Sequence, residues 1–216
     1  VGYMLFGILP LSACGGGGDE GGDLHEETFN LSGEVVKGPV SGAIVFVDYN
    51  GDGQLTAGEP SQRTNESGGF SFSDLDDDGP IIALTDGRSV DTSSGLVIDG
   101  MRLTAPEGAS VISPLTTIME EGNLSNAQVV AALNLPDVDL KSFNPFTSEN
   151  TAATNLAVEV AAQQVSTVVR SISTALQQSG VTGADAADIA ADAVADTVAT
   201  VSIVDFTSNG FITTAI

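Results

Sequence analysis

Residues 43–59 read Ala-Ile-Val-Phe-Val-Asp-Tyr-Asn-Gly-Asp-Gly-Gln-Leu-Thr-Ala-Gly-Glu, an apolar run that leads directly into a stretch of oxygen-bearing side chains and glycines. The apolar run is rich in β-branched residues and predicts a β-strand. The stretch that follows, from Asp48 to Glu59, has the length and spacing of a calcium-binding loop. We call it the metal loop. Together the two features predict a strand that ends at a cation site.

Each ligand position of such a loop carries a suitable oxygen donor here. The donors, in order, are Asp48, Asn50, Asp52, Gln54, Thr56 and Glu59. Gln54 would offer its backbone carbonyl, Thr56 would act through water, and Glu59 would bind with both carboxylate oxygens. Gly53 stands where the chain must turn sharply, and the apolar Leu55 is expected to anchor the loop to its support. Because Ca²⁺ takes about six to eight oxygen ligands, this spacing predicts a Ca²⁺ site.

Two points about the metal loop stay open at the level of sequence. Its Asp, Asn and Gly residues would also suit a plain β-turn whose carboxylates face water. A second acidic cluster, Asp74 and Asp76 to Asp78, could add ligands or form a solvated turn of its own. Pro60 follows Glu59 where a helix-flanked loop would continue as a helix, so we expect this loop to lie between strands.

The composition excludes several classes of function. The 216 residues contain 6 Lys and Arg against 29 Asp and Glu, a formal net charge of −23, which rules out a basic nucleic-acid-binding surface. The acidic surface that this charge implies suits an environment rich in divalent cations, although solubility alone is a competing explanation. A single Cys and a single His cannot form a disulfide or a Cys/His zinc site. No nucleophile elbow, zinc-protease motif or phosphate loop is present, so no catalytic residue is predicted.

The first 28 residues have the features of an export signal and a tether. Residues 1–14 are mostly apolar and end in Leu11-Ser12-Ala13-Cys14, which resembles the bacterial lipobox. This resemblance implies a signal peptide, a lipid anchor on Cys14 and, since Gly15 follows, an outer-membrane lipoprotein or cell-surface protein of the bacterial envelope. The alternative is a free buried Cys. Residues 15–28 are rich in Gly, Asp and Glu and predict a flexible tether.

Residues 29–104 alternate short apolar runs with turn signals, which is typical of a small β-sandwich. The predicted strands are Phe29–Val36, Ala43–Asp48, Gly69–Ser73, Ile81–Thr85 and Leu96–Leu103. Residues 33–43, the metal loop and residues 64–72, in that order, resemble a prealbumin-like repeat. Similar modules occur as carboxypeptidase-regulatory-like domains and as calcium-binding B repeats of bacterial adhesins. The resemblance implies a seven-strand sandwich that calcium stiffens, without catalysis; some such modules carry a Lys–Asn isopeptide bond, but Lys37 is better interpreted as solvated.

Residues 111–204 carry helix signals. Ser113-Pro114 and the capping box Ser125 to Gln128 begin two helices, and a long helix is expected from near Thr151 to Gly180. A last helix begins at Thr182 and presents Asp188, Asp192 and Asp196 on its outer face, where they are expected to face water. The predicted apolar faces contain Val158, Ala161, Val165, Val168, Val169, Ile172 and Leu176 on the long helix, and Ala187, Ala191, Val194, Val198 and Val201 on the last one.

The predicted fold class is therefore α+β. A small prealbumin-like β-sandwich precedes an α-helical region that ends in an antiparallel helix hairpin. Residues 205–216 contain an Asn-Gly turn signal and are expected to be a truncated β-like tail of a longer chain.

Two functions are consistent with these features. The first is a lipid-anchored surface protein with a structural, adhesive or binding role toward an extracellular protein or carbohydrate. The second is the accessory N-terminal region of a secreted hydrolase whose catalytic domain lies further along the chain.

Overall fold

The computed structural model describes residues 28–76, 79–147, 149–201, 203, 204 and 206. The lipobox with Cys14, nearly all of the tether and most of residues 205–216 lie outside the described residues. Within them, ten strands form three sheets, and four helices follow the last strand. The chain is therefore of the α+β class and ends in a helix pair, as the sequence predicts.

The strands are short and are joined by glycine-rich turns. In chain order they are β1 Phe29–Val35, β2 Val40–Ser41, β3 Ile44–Val47, β4 Ser61–Arg63, β5 Gly69–Leu75, β6 Ile81–Leu84, β7 Val90–Asp91, β8 Leu96–Val97, β9 Arg102–Ala105 and β10 Val111–Ile112. The sequence predicts a single strand over 96–103, whereas the structure places β8 and β9 in different sheets. Gly100, at φ +68°, turns the chain between them.

The three sheets have the strand orders β10-β1-β5, β2-β7-β8 and β4-β3-β6-β9. All pairings are antiparallel except that of β1 with β10, in which Val35 lies opposite Ile112. Because β10 leads directly into the first helix, this parallel pairing fixes where the helical region leaves the sheets. The apolar side chains of the strands form one cluster around Val45, Ile81 and Ile112.

The four helices are α1 Pro114–Glu121, α2 Asn126–Ala132, α3 Ala152–Gln178 and α4 Gly183–Thr200. The side chain of Ser113 accepts from the Thr116 N–H and that of Ser125 from the Gln128 N–H, so the predicted caps are present. Thr151 and Thr182 cap α3 and α4 in the same way. No helix of the described residues combines the length and the apolar content needed to cross a bilayer.

The helices form a second apolar cluster around Leu115, Ile118, Val165 and Val194. Helix α4 is alanine-rich and buries Ala186, Ala190 and Ala195, whereas the predicted Ala187 is only half-buried. Small residues allow α4 to approach α1 closely, since a Cβ built on Gly122 would lie 2.9 Å from the Ala195 Cβ. This close approach explains why the buried face is rotated from the predicted one.

Threonine side chains join the helical cluster to the sheets. The Thr104 carbonyl on β9 accepts hydrogen bonds from Thr116 Oγ1 at 2.9 Å and Thr117 Oγ1 at 3.3 Å. The Thr104 N–H donates to Thr117 Oγ1 at 3.0 Å. All three residues are buried, so α1 is fixed to β9 by bonds that water cannot easily replace.

Replacing Ile118 by Ala should lower the free energy of unfolding by about 2–5 kcal/mol, because Ile118 is fully buried in the helical cluster. Ile189→Ala is the matched control: Ile189 is also helical but 47% exposed, so its loss should stay near 0.5 kcal/mol. Urea denaturation followed by far-ultraviolet circular dichroism measures both variants. Equal losses would contradict the assignment of the helical core.

Candidate metal site

The metal loop leaves the sheet at the end of β3 and returns at the start of β4. The Val47 N–H donates to the Pro60 carbonyl at 3.2 Å, and the Asp48 N–H donates to the Pro80 carbonyl at 3.0 Å. These bonds close the base of the loop and fix its first residue beside β6. Because Asp48 and Glu59 lie just inside this closure, the two ends of the metal loop are held close together.

The structure brings three of the predicted ligands into one group. One carboxylate oxygen each from Asp48, Asp52 and Glu59 lies within 4.8 Å of the other two. Oxygens that share one Ca²⁺ at 2.3–2.6 Å are at most about 5 Å apart. Asp48 is buried, Glu59 is half-buried and Asp52 is exposed. These three acidic residues could therefore hold a metal ion.

Backbone N–H groups of the loop orient the first two carboxylates. Gly51 N–H donates to Asp48 Oδ1 at 2.9 Å, and Gly53 N–H donates to Asp48 Oδ2 at 2.8 Å. Gln54 N–H donates to Asp52 Oδ1 at 2.8 Å. Gly51 and Gly53 have φ values of +70° and +72°, which a residue with a Cβ adopts only at a cost. The sharp turn predicted at Gly53 is thus present.

Two further predicted ligands, Asn50 and Thr56, lie beside these acids and bond to one another. Asn50 Oδ1 accepts from the Asp52 N–H at 2.9 Å, and Asn50 Nδ2 donates to Asp52 Oδ2 at 3.0 Å and Thr56 Oγ1 at 3.3 Å. Gln54, whose backbone carbonyl is the predicted ligand, donates its N–H to Asp52 Oδ1. Leu55 is 40% exposed, so the prediction that it anchors the loop is wrong. Among the described residues of the second acidic cluster, Asp74 and Asp76 do not belong to the metal-ligating group.

Glu59 offers the most direct test of whether a cation fits. Its Oε2 accepts from the Thr56 N–H at 2.7 Å, whereas its Oε1 is buried and has no hydrogen-bond donor among the described residues. A buried acceptor without a partner costs about 1–3 kcal/mol. Each Asp48 oxygen accepts one N–H and keeps a second lone pair for a metal. The three carboxylates therefore fit a cation bound between them.

Arg102 on β9 is a neighbour of the metal loop that the sequence reasoning missed. Its Nη1 lies 2.8 Å from Glu121 Oε1 on α1 and 3.0 Å from Asp188 Oδ1 on α4. Its Nη2 lies 2.9 Å from the position of a Cβ built on Gly53. The prediction that Asp188 faces only water is therefore wrong. The scarcity of Lys and Arg in so acidic a chain was the available signal, since each is a candidate partner for a buried acid.

Burial and mutual repulsion raise the pKa of several acids around Arg102. Partial burial raises the pKa of Asp188; Arg102 opposes that rise, and Glu121 adds to it. Partial burial and repulsion from Glu121 and Asp196 likewise raise the pKa of Asp192. For Glu120 the causes are partial burial and its neighbour Glu121. The single guanidinium therefore does not compensate all of the negative charge that faces it.

Asp192→Asn should stabilise the protein slightly at neutral pH. A raised pKa means that the folded state binds more protons between the unfolded pKa, about 3.9, and the folded one, so the free energy of unfolding falls as pH rises through this window. Asparagine cannot ionise, so the substitution removes this fall in the free energy of unfolding. Because Asp192 is covered only in part and water screens most of the repulsion, the gain at pH 7 should be at most about 0.5 kcal/mol.

Urea denaturation at several pH values measures this gain, which should vanish below about pH 3.5. Glu66→Gln, a change of the same charge in an exposed turn, is the control and should show no such trend. A gain that persists at low pH would contradict the electrostatic explanation.

Comparison with known proteins adds no relative to these observations. No family model, curated protein or solved structure matches the chain at a significant level. What stands on geometry is an α+β chain with a group of three acidic residues in the metal loop that could hold a metal ion.

Proposed function

We propose that the metal loop binds Ca²⁺ and that the bound ion stiffens the β-region of a lipid-anchored bacterial surface protein. The main observation that supports this proposal is that Asp48, Asp52 and Glu59 converge. The buried Oε1 of Glu59 also lacks a donor among the described residues. The role is structural, adhesive or ligand-binding, and the partner is a protein or carbohydrate outside the cell. Attachment through Cys14 rests on the lipobox resemblance, and Cys14 lies outside the described residues.

The chemistry of the donors favours Ca²⁺ over other ions. The group consists of three carboxylates and contains no His or Cys, and side-chain oxygens of Asn50 and Thr56 lie beside it. Hard oxygen ligands suit Ca²⁺, Mg²⁺ or Mn²⁺ rather than Zn²⁺ or Cu²⁺. Ca²⁺ tolerates irregular geometry and bidentate carboxylates, whereas Mg²⁺ requires a nearly ideal octahedron. A glycine-rich loop of twelve residues is flexible, so it suits the irregular coordination of Ca²⁺ better than the ideal octahedron of Mg²⁺.

The location of the loop gives the ion a mechanical role. The metal loop connects β3 to β4, and β3 also pairs with β6 in the same sheet. An ion bound by both ends of the loop would hold Asp48 and Glu59 together and so limit fraying of β4, an edge strand. This stiffening supports a spacer or display function and requires no catalytic residue. A prealbumin-like sandwich is the finer fold assignment that we attach to this proposal.

Calcium should raise the melting temperature of the protein. Extracellular modules bind Ca²⁺ with Kd values of about 10⁻⁴–10⁻³ M. Free Ca²⁺ at 100 times Kd stabilises the folded state by about 2.7 kcal/mol, which corresponds to roughly 5–10 °C for a chain of this size. Scanning calorimetry with and without EDTA measures the shift, and titration calorimetry measures the affinity.

Glu59→Gln should abolish the calcium-dependent part of this stabilisation, because it removes the carboxylate that closes the loop. Glu66→Gln changes the same charge away from the loop and should keep the full shift. No heat of binding at millimolar Ca²⁺, or an equal shift in both variants, would contradict the proposal. A larger shift with Mg²⁺ than with Ca²⁺ would contradict the choice of ion.

A further inference from the structure

Arg102 lies between the metal loop and the helical region. Its side chain is 13% exposed, and its Nη2 lies 2.9 Å from the position that a Cβ on Gly53 would occupy. Gly53 is also the residue whose N–H donates to Asp48 Oδ2. The guanidinium therefore lies beside the turn that orients the Asp48 carboxylate.

The opposite side of the guanidinium is held by two helices. Nη1 bonds to Glu121 Oε1 at 2.8 Å, and Thr104 Oγ1 donates to the same oxygen at 3.0 Å. Asp188 Oδ1 lies 3.0 Å from Nη1 but has no hydrogen bond of good geometry among the described residues, and Arg102 Nε is also buried without a partner. Removing one partner from such a partly satisfied buried cluster leaves charge uncompensated.

We propose that Arg102 couples the metal loop to the helix pair, so that the affinity of the loop for a divalent cation depends on how firmly Glu121 and Asp188 hold the guanidinium. This inference rests on the proposed calcium site and adds its regulation. Arg102 acts as a positioning residue and does not bind the ion.

Electrostatics gives the coupling a sign. In the cation-free protein, the guanidinium lies between the negative loop and the acids on the helices, and it is attracted to both. A divalent ion cancels the attraction of the loop, so the guanidinium interacts more strongly with Glu121 and Asp188. By thermodynamic linkage, an interaction that cation binding strengthens must itself strengthen cation binding. Weakening the interaction of Arg102 with Glu121 or Asp188 should therefore lower the affinity of the loop for the cation.

The first experiment compares two neutralising substitutions on α4 by calcium titration calorimetry. Asp188→Asn leaves Arg102 less compensated beside the loop and should weaken Ca²⁺ binding about three- to tenfold. Asp196→Asn removes the same charge from an exposed position two turns further along the helix and should change the affinity less than about twofold. Equal effects of the two substitutions would overturn the proposal, since they would reflect net charge alone.

A double-mutant cycle tests whether the effect passes through Arg102. If it does, Asp188→Asn should have little effect on Ca²⁺ affinity in an Arg102→Gln background, because the guanidinium that Asp188 compensates is absent from that background. An undiminished effect in that background overturns the proposal. Circular dichroism checks that Arg102→Gln folds, and the comparison of Asp188→Asn with Asp196→Asn remains decisive if it does not.

A second experiment requires no metal. Gly53→Ala and Gly51→Ala introduce the same strain, since both glycines have nearly equal positive φ, but only the Cβ at residue 53 meets Arg102, while the Cβ at residue 51 meets nothing within 4 Å. With EDTA present, Gly53→Ala should speed hydrogen exchange in α4 at least threefold relative to exchange in β5. Gly51→Ala should leave that ratio unchanged.

The outcomes separate this inference from the proposed function. If the wild-type protein binds no Ca²⁺, the proposed function is contradicted, and so is the inferred dependence of cation affinity on Glu121 and Asp188. The exchange experiment then still decides whether Arg102 links the loop to α4. Wild-type protein that binds Ca²⁺ while Asp188→Asn behaves like Asp196→Asn leaves the proposed function in place and overturns this inference alone.

Discussion

The pairing of β3 with β4 is the constraint on which the candidate site depends. The hydrogen bond from Val47 to Pro60 closes the base of the metal loop, and this closure brings together two acids that are eleven positions apart in the sequence. Without it, Asp48 and Glu59 would belong to the ends of a flexible segment, and holding them together would cost loop-closure entropy at the moment of binding. The sheet meets this cost during folding, so the three carboxylates are already close before an ion arrives.

Local signals in the sequence predict much of the secondary structure because their causes are local. Ser113 and Ser125 cap the helices that follow them through side-chain bonds that span only three residues. The glycine at the turn of the metal loop has the positive φ that its position requires. In the same way, the spacing of Asp48, Asp52 and Glu59 predicts their convergence, since all three lie within one short loop. The α+β class and the terminal helix pair follow from such short-range patterns.

Features that depend on distant segments were not predictable in this way. The parallel pairing of β1 with β10 joins residues more than seventy positions apart, and a two-residue strand has no periodicity to reveal it. The buried face of α4 is rotated because alanines allow α1 to approach closely near Gly122, a property of the helix pair rather than of either helix. Arg102 meets Gly53, Glu121 and Asp188, and no sequence spacing relates these three residues.

The excess of acidic residues makes the few cations disproportionately important. With 29 acids against 6 basic residues, most carboxylates cannot have a basic side chain as a partner, and one buried basic side chain can face several acids at once. Arg63 illustrates the exposed case: among the described residues its acid partner is Asp86, its Nη1 also donates to the Gly42 carbonyl, and it lowers the pKa of the Asp86 carboxyl to about 2. Arg102 illustrates the buried case, in which Glu121 and Asp188 share one guanidinium and burial raises the pKa of Asp188 although Arg102 opposes the rise. A divalent ion in the metal loop would add positive charge near Arg102. Its binding should therefore change the interaction of Arg102 with the acids on the helices as well as the charge of the loop.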